Sequence, residues 1–240
     1  VKASHGPKID LTRGVRLSVS GVPRTAIAAA MEDLAQAGVH NAATGAELRV
    51  RVSAGSHVPP EGYRLTAHNG SIDIVAAEAA GARYALESLA QEAAYEHGIL
   101  RPLEIEDAPR FGFRGLHIDL ARNFHSKAEV LKIVEQMGRY KLNKLHLHLG
   151  DDEGWRLEIA EFPELTQVGG YRCYDPSETR CLLPQLGSGP DRDTPVNGYL
   201  SRGDYIEILK AAKARGIEVI PEFDMPGHSR AAIHSMEARY

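Results

Sequence analysis

Hydrophobic and polar positions alternate with a period of two in residues 16–19, 47–52, 63–67 and 72–75, the pattern of half-buried strands. The last two flank Asn69 and Gly70, a pair that tolerates the positive φ angles of a type I′ turn, so residues 61–76 are expected to form a hairpin. Two stretches with helical spacing interleave with these strands. Residues 23–37 have proline near the start and Gly38 just past the end, and residues 82–95, closed by Gly98, carry an apolar stripe of Ala85, Leu86, Leu89 and Ala93. The first hundred residues therefore read as a small α+β unit. The polar, proline-containing segment 104–110 marks a boundary, giving domains 1–107 and 108–240.

Beyond that boundary the order changes to strand (113–120), helix (126–141), strand (144–149), a loop of about fifty residues, helix (203–215) and strand (217–223). The first of these helices opens on a capping box, Ser126 with Glu129, and places Val130, Leu131, Val134 and Met137 at helical spacing. Ser201 and Asp204 stand at the entry of the second, and Gly216 at its exit. Alternating strands and helices of this length predict right-handed βαβ units and a parallel sheet. Parallel strands gather functional loops at their carboxyl ends. All three ends carry polar residues here: Asp119 to Asn123, Asp151 to Glu153 and Glu222 to His228.

The second strand runs LHLHLGDDEGW. His146 and His148 share one face while Leu145, Leu147 and Leu149 take the other. An H-x-H pair of this kind can bind a metal in barrel hydrolases, with Asp151 or Asp224 completing the set. At about 3.3 Å per residue, however, the pair lies roughly 10 to 16 Å below the Asp-Asp turn, which favours interior framework. Adjacent Asp151 and Asp152 should point in different directions, one toward a ligand and the other toward a backbone amide. Arg122 could hold two sugar hydroxyls or a carboxylate in its guanidinium fork, or form a loop salt bridge with Asp119. At the third end Glu222, Asp224 and His228 are coupled through a turn containing Pro226 and Gly227. Trp155 and Tyr171 are candidates for sugar stacking.

Composition narrows the choice of ligand. Hydrophobic residues make up 43% of the 240 residues, charged residues 25%, and the net charge is −4, with no cluster of Lys and Arg to serve nucleic acid or an anionic membrane. A neutral or polar small ligand fits better. No apolar run approaches the ~20 residues of a membrane span, and residues 1–6 lack a signal-peptide pattern, so the expectation is a soluble chain from which any leader has been removed. The two cysteines, Cys173 and Cys181, sit in the turn-rich stretch RCYDPSETRCLLPQLGSGP. Their spacing suits a small loop closed by a disulfide, two free thiols being the alternative, and a bridge would point to the periplasm or the exterior.

Taken together, FRGLHIDLARNF, KLNKLHLHLGDDEGWRLEI, FPELTQVGGYR and EVIPEFDMPGHSRAA resemble glycoside hydrolase family 20, the β-N-acetylhexosaminidases. RCYDPSETRCLLPQLGSGPD and the ending SMEARY are similar to its bacterial chitobiase branch. The resemblance implies a (β/α)8 barrel preceded by a small α+β domain, with about the first three βα units present in this chain. It also implies release of terminal β-linked N-acetylglucosamine or N-acetylgalactosamine by a retaining mechanism in which the substrate's own acetamido oxygen attacks C1. Arg122 would grip the outer hydroxyls of the sugar, with Asp151, Asp224 and His228 as the supporting polar network, and no metal or organic cofactor is implied. The family's His-x-Gly-Gly-Asp-Glu motif, which holds the general acid and its partner aspartate, does not occur before Tyr240. The expectation is a fragment, inactive alone, whose remaining strands come from a second chain or a longer precursor. A metal-dependent barrel hydrolase using His146 and His148, and a non-catalytic sugar-binding module, are the competing readings.

Overall fold

The computed structural model describes residues 2–3, 5–185 and 188–240. Val1 and Ser4 of the amino-terminal stretch, and Leu186 and Gly187 of the loop that follows Cys181, lie outside the described residues. The chain forms two compact units. The first runs to Arg114 and includes Met137–Leu142 and Ala214–Gly216; the second comprises Gly115–Gln136, Asn143–Lys213 and Ile217–Tyr240.

In the first unit, strands β1 (Lys2–Ala3), β3 (Val15–Ser20), β4 (Ala46–Val52), β5 (Tyr63–His68), β6 (Ser71–Ala76) and β8 (Leu103–Asp107) form one sheet in the order β1-β8-β5-β6-β4-β3. Short strands β2 (Ile9–Asp10) and β7 (Ile99–Leu100) pair separately. The β5–β6 hairpin turns where expected, with Asn69 at φ 49° and Gly70 at φ 78°. Inward positions alternate as the period demands: Leu48 and Val50, Leu65 and Ala67, Ile72 and Ile74 are all essentially inaccessible. Helices α1 (Ala28–Gln36) and α2 (Ala79–Tyr95) cover this core with Ala30, Leu34, Leu86 and Leu89, and each fully buried leucine contributes about 1.5–3 kcal/mol.

Three details differ from the sequence pattern. The helix expected from residue 23 begins with a 3-10 turn, Arg24–Ile27, before α1. Helix α2 starts three residues earlier than expected and contains Gly81, which stands at a close backbone crossing where a Cβ would come within 2.1 Å of the Gly62 carbonyl oxygen. The supposed linker at 104–110 opens as strand β8, with Leu103 and Ile105 facing inward and Glu104 and Glu106 outward. Its polarity is the solvent face of a strand, not a spacer.

The second unit alternates strand and helix in the manner of a (β/α)8 barrel: β9 (Gly115–Asp119), α3 (Lys127–Arg139, whose last turn belongs to the first unit), β10 (Lys144–Asp151), β11 (Gly154–Trp155), α4 (Glu164–Gln167), α5 (Arg202–Ala214), β12 (Glu218–Phe223) and α6 (Arg230–Glu237). Strand β10 is central, parallel to β9 on one side and β12 on the other. Both expected helix starts are made by reciprocal capping. Ser126 N–H donates to Glu129 (2.8 Å) and Ser201 N–H to Asp204 (3.1 Å). No helix among the described residues is long and apolar enough to cross a membrane.

Helix α2 of the first unit turns one acid inward. Glu87 is buried and hydrogen-bonded to Asp33 of α1, and Asp33 is paired with Arg215 and lies 3.6 Å from Arg139. Burial, and then the Asp33 carboxylate, push the Glu87 pKa up to about 8, so the folded protein holds a proton there that the unfolded chain releases near 4.5. Stability from this group is therefore full at low pH and drains away between about pH 4.5 and pH 8. Chemical denaturation of the wild type against Glu87→Gln should show the wild type losing about 1 kcal/mol per pH unit relative to the variant between pH 6 and 8. A difference independent of pH would mean that Glu87 is already ionised in the folded protein.

Candidate active site

The three parallel strands place their chemistry by register. His146 on β10 lies opposite His117 on β9, and His148 opposite Glu222 on β12. Leu145, Leu147 and Leu149 fill the other face and are fully buried. The His117 and His146 rings meet edge to face, their centroids 4.7 Å apart. One carboxylate serves three imidazoles: Glu222 Oε2 lies 2.5 Å from His146 Nε2 and 3.7 Å from His117 Nε2, while Oε1 lies 3.4 Å from His148 Nδ1. Burial opposes ionisation of Glu222, but His148 and His146 outweigh it and hold the carboxyl below its usual range.

Among the described residues, no cluster of three close donor groups contains both His146 and His148. They belong to two triads, His117–His146–Glu222 and His148–Glu222–Asp224, whose donor atoms lie within 4.8 Å of one another. Either set of imidazole and carboxylate donors is of a type that can hold a divalent transition metal.

The expected distance between the histidines and the Asp-Asp turn is corrected by an irregularity in β10. Its register with β12 shifts between His148 and Gly150, and the chain then folds back at Asp151 as β11. In a regular strand residues three apart lie on opposite faces; here the shift brings Asp151 Oδ2 within 3.1 Å of His148 Nε2. Asp151 is completely buried, and it also accepts from the Glu153 N–H (2.9 Å) and pairs with Arg122 Nη2 (2.9 Å). Arg122 is fixed a second time by Asp119 at the end of β9, through its backbone N–H (3.0 Å) and Nη1 (2.6 Å). Of the two readings of Arg122, the loop salt bridge with Asp119 is made, and the side chain, 39% exposed, also reaches solvent.

Two adjoining carboxyls are driven apart. Burial alone would raise Asp151, but hydrogen bonds from the Glu153 side chain and backbone, from His148 and the charge of Arg122 bring it below the ordinary value. Glu153 is raised, first by burial and then by Asp151. The same contacts thus favour the ionised form of Asp151 and oppose that of Glu153.

As expected of neighbours in a turn, Asp152 points elsewhere, accepting from the Arg230 N–H (3.0 Å) and lying 3.1 Å from His228 Nδ1. His228, at φ 51°, is more than half exposed. Asp224 donates its N–H to the Gly150 carbonyl (3.1 Å), and its side chain is hydrogen-bonded to Glu222. Arg122 and Asp151 thus touch directly and Asp224 reaches them through Glu222 and His148, whereas His228 contacts Asp152 and is not brought into that network. Trp155 stacks on Phe223 at 4.7 Å, and the Arg192 guanidinium lies 4.1 Å above the Tyr171 ring.

Several supporting residues escape the sequence pattern. Glu153 reads there only as part of a polar turn, and His117 is legible in principle, since it sits in the first strand at the position that parallel register sets beside His146. Arg156 gives no signal at all. It is fully buried, and its guanidinium donates to the carbonyls of Leu120 (3.0 Å), Ala121 (2.8 Å), Gly170 (2.7 Å) and Gly198 (2.9 Å), pinning the loop after β9 to the long loop after β10. Burial and the nearby Arg172 pull its pKa down to about 9, which leaves it charged at neutral pH. Gly154 makes room for it, because a Cβ there would stand 2.4 Å from the Arg156 Cζ. Cys173 and Cys181 are disulfide-bonded, with Cα atoms 5.7 Å apart. Within the loop that they close, Glu178 pairs with Arg230 and His234 of α6.

Residues 111–240 match the family described as glycosyl hydrolase family 20, catalytic domain, and residues 1–108 match glycosyl hydrolase family 20, domain 2. The chain is 52% identical to beta-hexosaminidase B of Pseudoalteromonas piscicida over 97% of its own length and 30% of that protein. It is 47% identical to the N,N'-diacetylchitobiase of Vibrio harveyi over its whole length and 28% of the relative. Among solved structures, the GH20 exo beta-N-acetylglucosaminidase from Vibrio harveyi in complex with N-acetylglucosamine superposes with a TM-score of 0.83 at 31% identity, covering 98% of this chain and 36% of that one. The chain thus spans under a third of the length of these curated relatives.

Arg156→Met would take the guanidinium from four carbonyl oxygens; that of Gly170 keeps the Gly198 N–H, and those of Leu120, Ala121 and Gly198 lose their donor, at roughly 1–3 kcal/mol for each that stays buried. Urea denaturation should therefore show a loss of at least about 3 kcal/mol, and Arg156→Lys should recover only part of it, because an ammonium cannot span the same fork. A loss below about 1 kcal/mol would show that these loops hold their places without the guanidinium.

Proposed function

The chain belongs to glycosyl hydrolase family 20, and on that premise we propose that the protein removes terminal, non-reducing β-linked N-acetylglucosamine or N-acetylgalactosamine from chitooligosaccharides or glycoconjugates. The reaction we infer is retaining and substrate-assisted. The 2-acetamido oxygen of the sugar attacks C1 to give an oxazolinium ion, so that no enzyme nucleophile is required. The observation that carries this reading is the half-open guanidinium of Arg122, held by Asp119 and by the buried charge of Asp151 at the carboxyl ends of parallel strands. A planar fork fixed at two points can offer its remaining donors to vicinal hydroxyls of one pyranose ring. Asp151 and Asp224 act as the polar network around it.

The general acid and its aspartate partner are proposed to come from a His-x-Gly-Gly-Asp-Glu segment outside residues 1–240, supplied by a longer precursor or a second chain. The disulfide supports placement in the periplasm or outside the cell, where such bonds persist. The splitting of His146 and His148 between two triads weighs against a metal-dependent hydrolase built on that pair.

An aryl N-acetyl-β-glucosaminide should be hydrolysed by the completed enzyme while the plain β-glucoside is not; equal rates on both would overturn substrate assistance. Residues 1–240 alone should give negligible turnover, and measurable hydrolysis by them would place the acid within this chain. Arg122→Met should raise KM by roughly 10- to 100-fold, in line with lost hydrogen bonds to a charged group.

A further inference from the structure

Below Arg122 the structure continues in an unbroken alternation of bases and acids across all three strands. His148 is the hidden link. Its side chain is 4% exposed, and both ring nitrogens face carboxylates: Nε2 at 3.1 Å from Asp151 Oδ2 and Nδ1 at 3.4 Å from Glu222 Oε1. Asp224 lies within the same cluster, and the His117 ring stands 6.2 Å away on β9. Glu222 is in turn held by His146.

The oxygen that receives His148 is the one that receives Arg122. Asp151 Oδ2 is shared between His148 Nε2 and Arg122 Nη2, while Asp151 Oδ1 is committed to the Glu153 N–H. The carboxylate is thus located from below by an imidazole and from the side by a backbone amide, and its position sets where the guanidinium can point. The ring is thus hydrogen-bonded to Asp151 through Nε2, while Nδ1 faces Glu222 across the strand. Removing His148 leaves Asp151 buried with one fewer donor and free to rotate away from Arg122.

We propose that His148 and Glu222 are positioning residues for the sugar-gripping guanidinium: they hold Asp151, and through it Arg122, without touching the substrate themselves. This rests on Arg122 being the residue that grips the terminal sugar. Since that grip is made in both the ground state and the transition state, losing its alignment should weaken binding more than turnover.

Two polar variants separate positioning from mere packing. In His148→Gln the amide nitrogen falls where Nε2 was and can still donate to Asp151, whereas in His148→Asn it falls at the Nδ1 position and reaches only Glu222. With an aryl N-acetyl-β-glucosaminide and the completed enzyme, His148→Asn should raise KM about tenfold with kcat within about threefold, and His148→Gln should stay within about threefold of the parent in both. Adding His148→Asn to Arg122→Lys should cost less than about twofold more, because the two act as one unit. Equal effects of Gln and Asn, a loss confined to kcat, or multiplying losses in the double variant would overturn the proposal. Should the parent enzyme fail to cleave the substrate, it is the functional reading that falls, and crystal structures then decide the positioning. An Arg122–Asp151 bond kept in His148→Gln and lost in His148→Asn supports it, and a bond kept in both overturns it.

Discussion

A carboxylate without solvent has to be answered from every side, and Asp151 imposes that demand on the second unit. Its side chain is completely buried, yet the balance of hydrogen bonds keeps it ionised. Leaving such a charge unpaired would cost several kcal/mol, so Arg122, His148 and the Glu153 amide converge on its two oxygens. What results is more than compensation. A buried anion gives the partly exposed guanidinium a fixed direction, as the proposed grip on a sugar's hydroxyls requires.

The two units handle buried acids in opposite ways. In the first, Glu87 lies against Asp33 and is neutralised by a proton that its surroundings favour up to about pH 8, although Arg215 and Arg139 are near. In the second, Asp151 is held below the ordinary carboxyl value while Glu153 is raised, because a cation and an imidazole stand beside Asp151 itself. Desolvation is comparable in kind at both places; the difference lies in which donors touch the carboxyl directly.

Loops usually cannot be buried, since their backbone carbonyls have no partners. Arg156 removes that obstacle around the site. One guanidinium satisfies carbonyls from the loop after β9 and from two points of the long loop after β10. A lysine could not, and neither could an apolar residue, because the four acceptors lie in a fork that only a planar set of donors spans. The loops that carry Arg122 and shelter Asp151 thereby gain the rigidity of regular structure without its hydrogen-bond ladder.

Local rules are written openly in the chain. Period-two alternation marks β3, β4, β5 and β6, the Asn69-Gly70 pair marks the hairpin, and the capping residues Ser126/Glu129 and Ser201/Asp204 mark two helix starts. The loading of three parallel strand ends with Arg122, Asp151 and Asp224 is legible because strand alternation and strand termini are properties of neighbouring residues. Strand β8 escapes such a reading because a strand with one solvent face has the same composition as a linker, and only its partner β5 distinguishes them. Packing alone decided the rest. The register shift in β10 turned Asp151 onto the face of His148, Glu222 reached from β12 to three imidazoles on two other strands, and Arg156 found carbonyls up to 42 residues away. Such contacts join residues whose separation in sequence carries no period, so the sequence could name the chemistry at the strand ends while the tertiary structure chose which groups would touch.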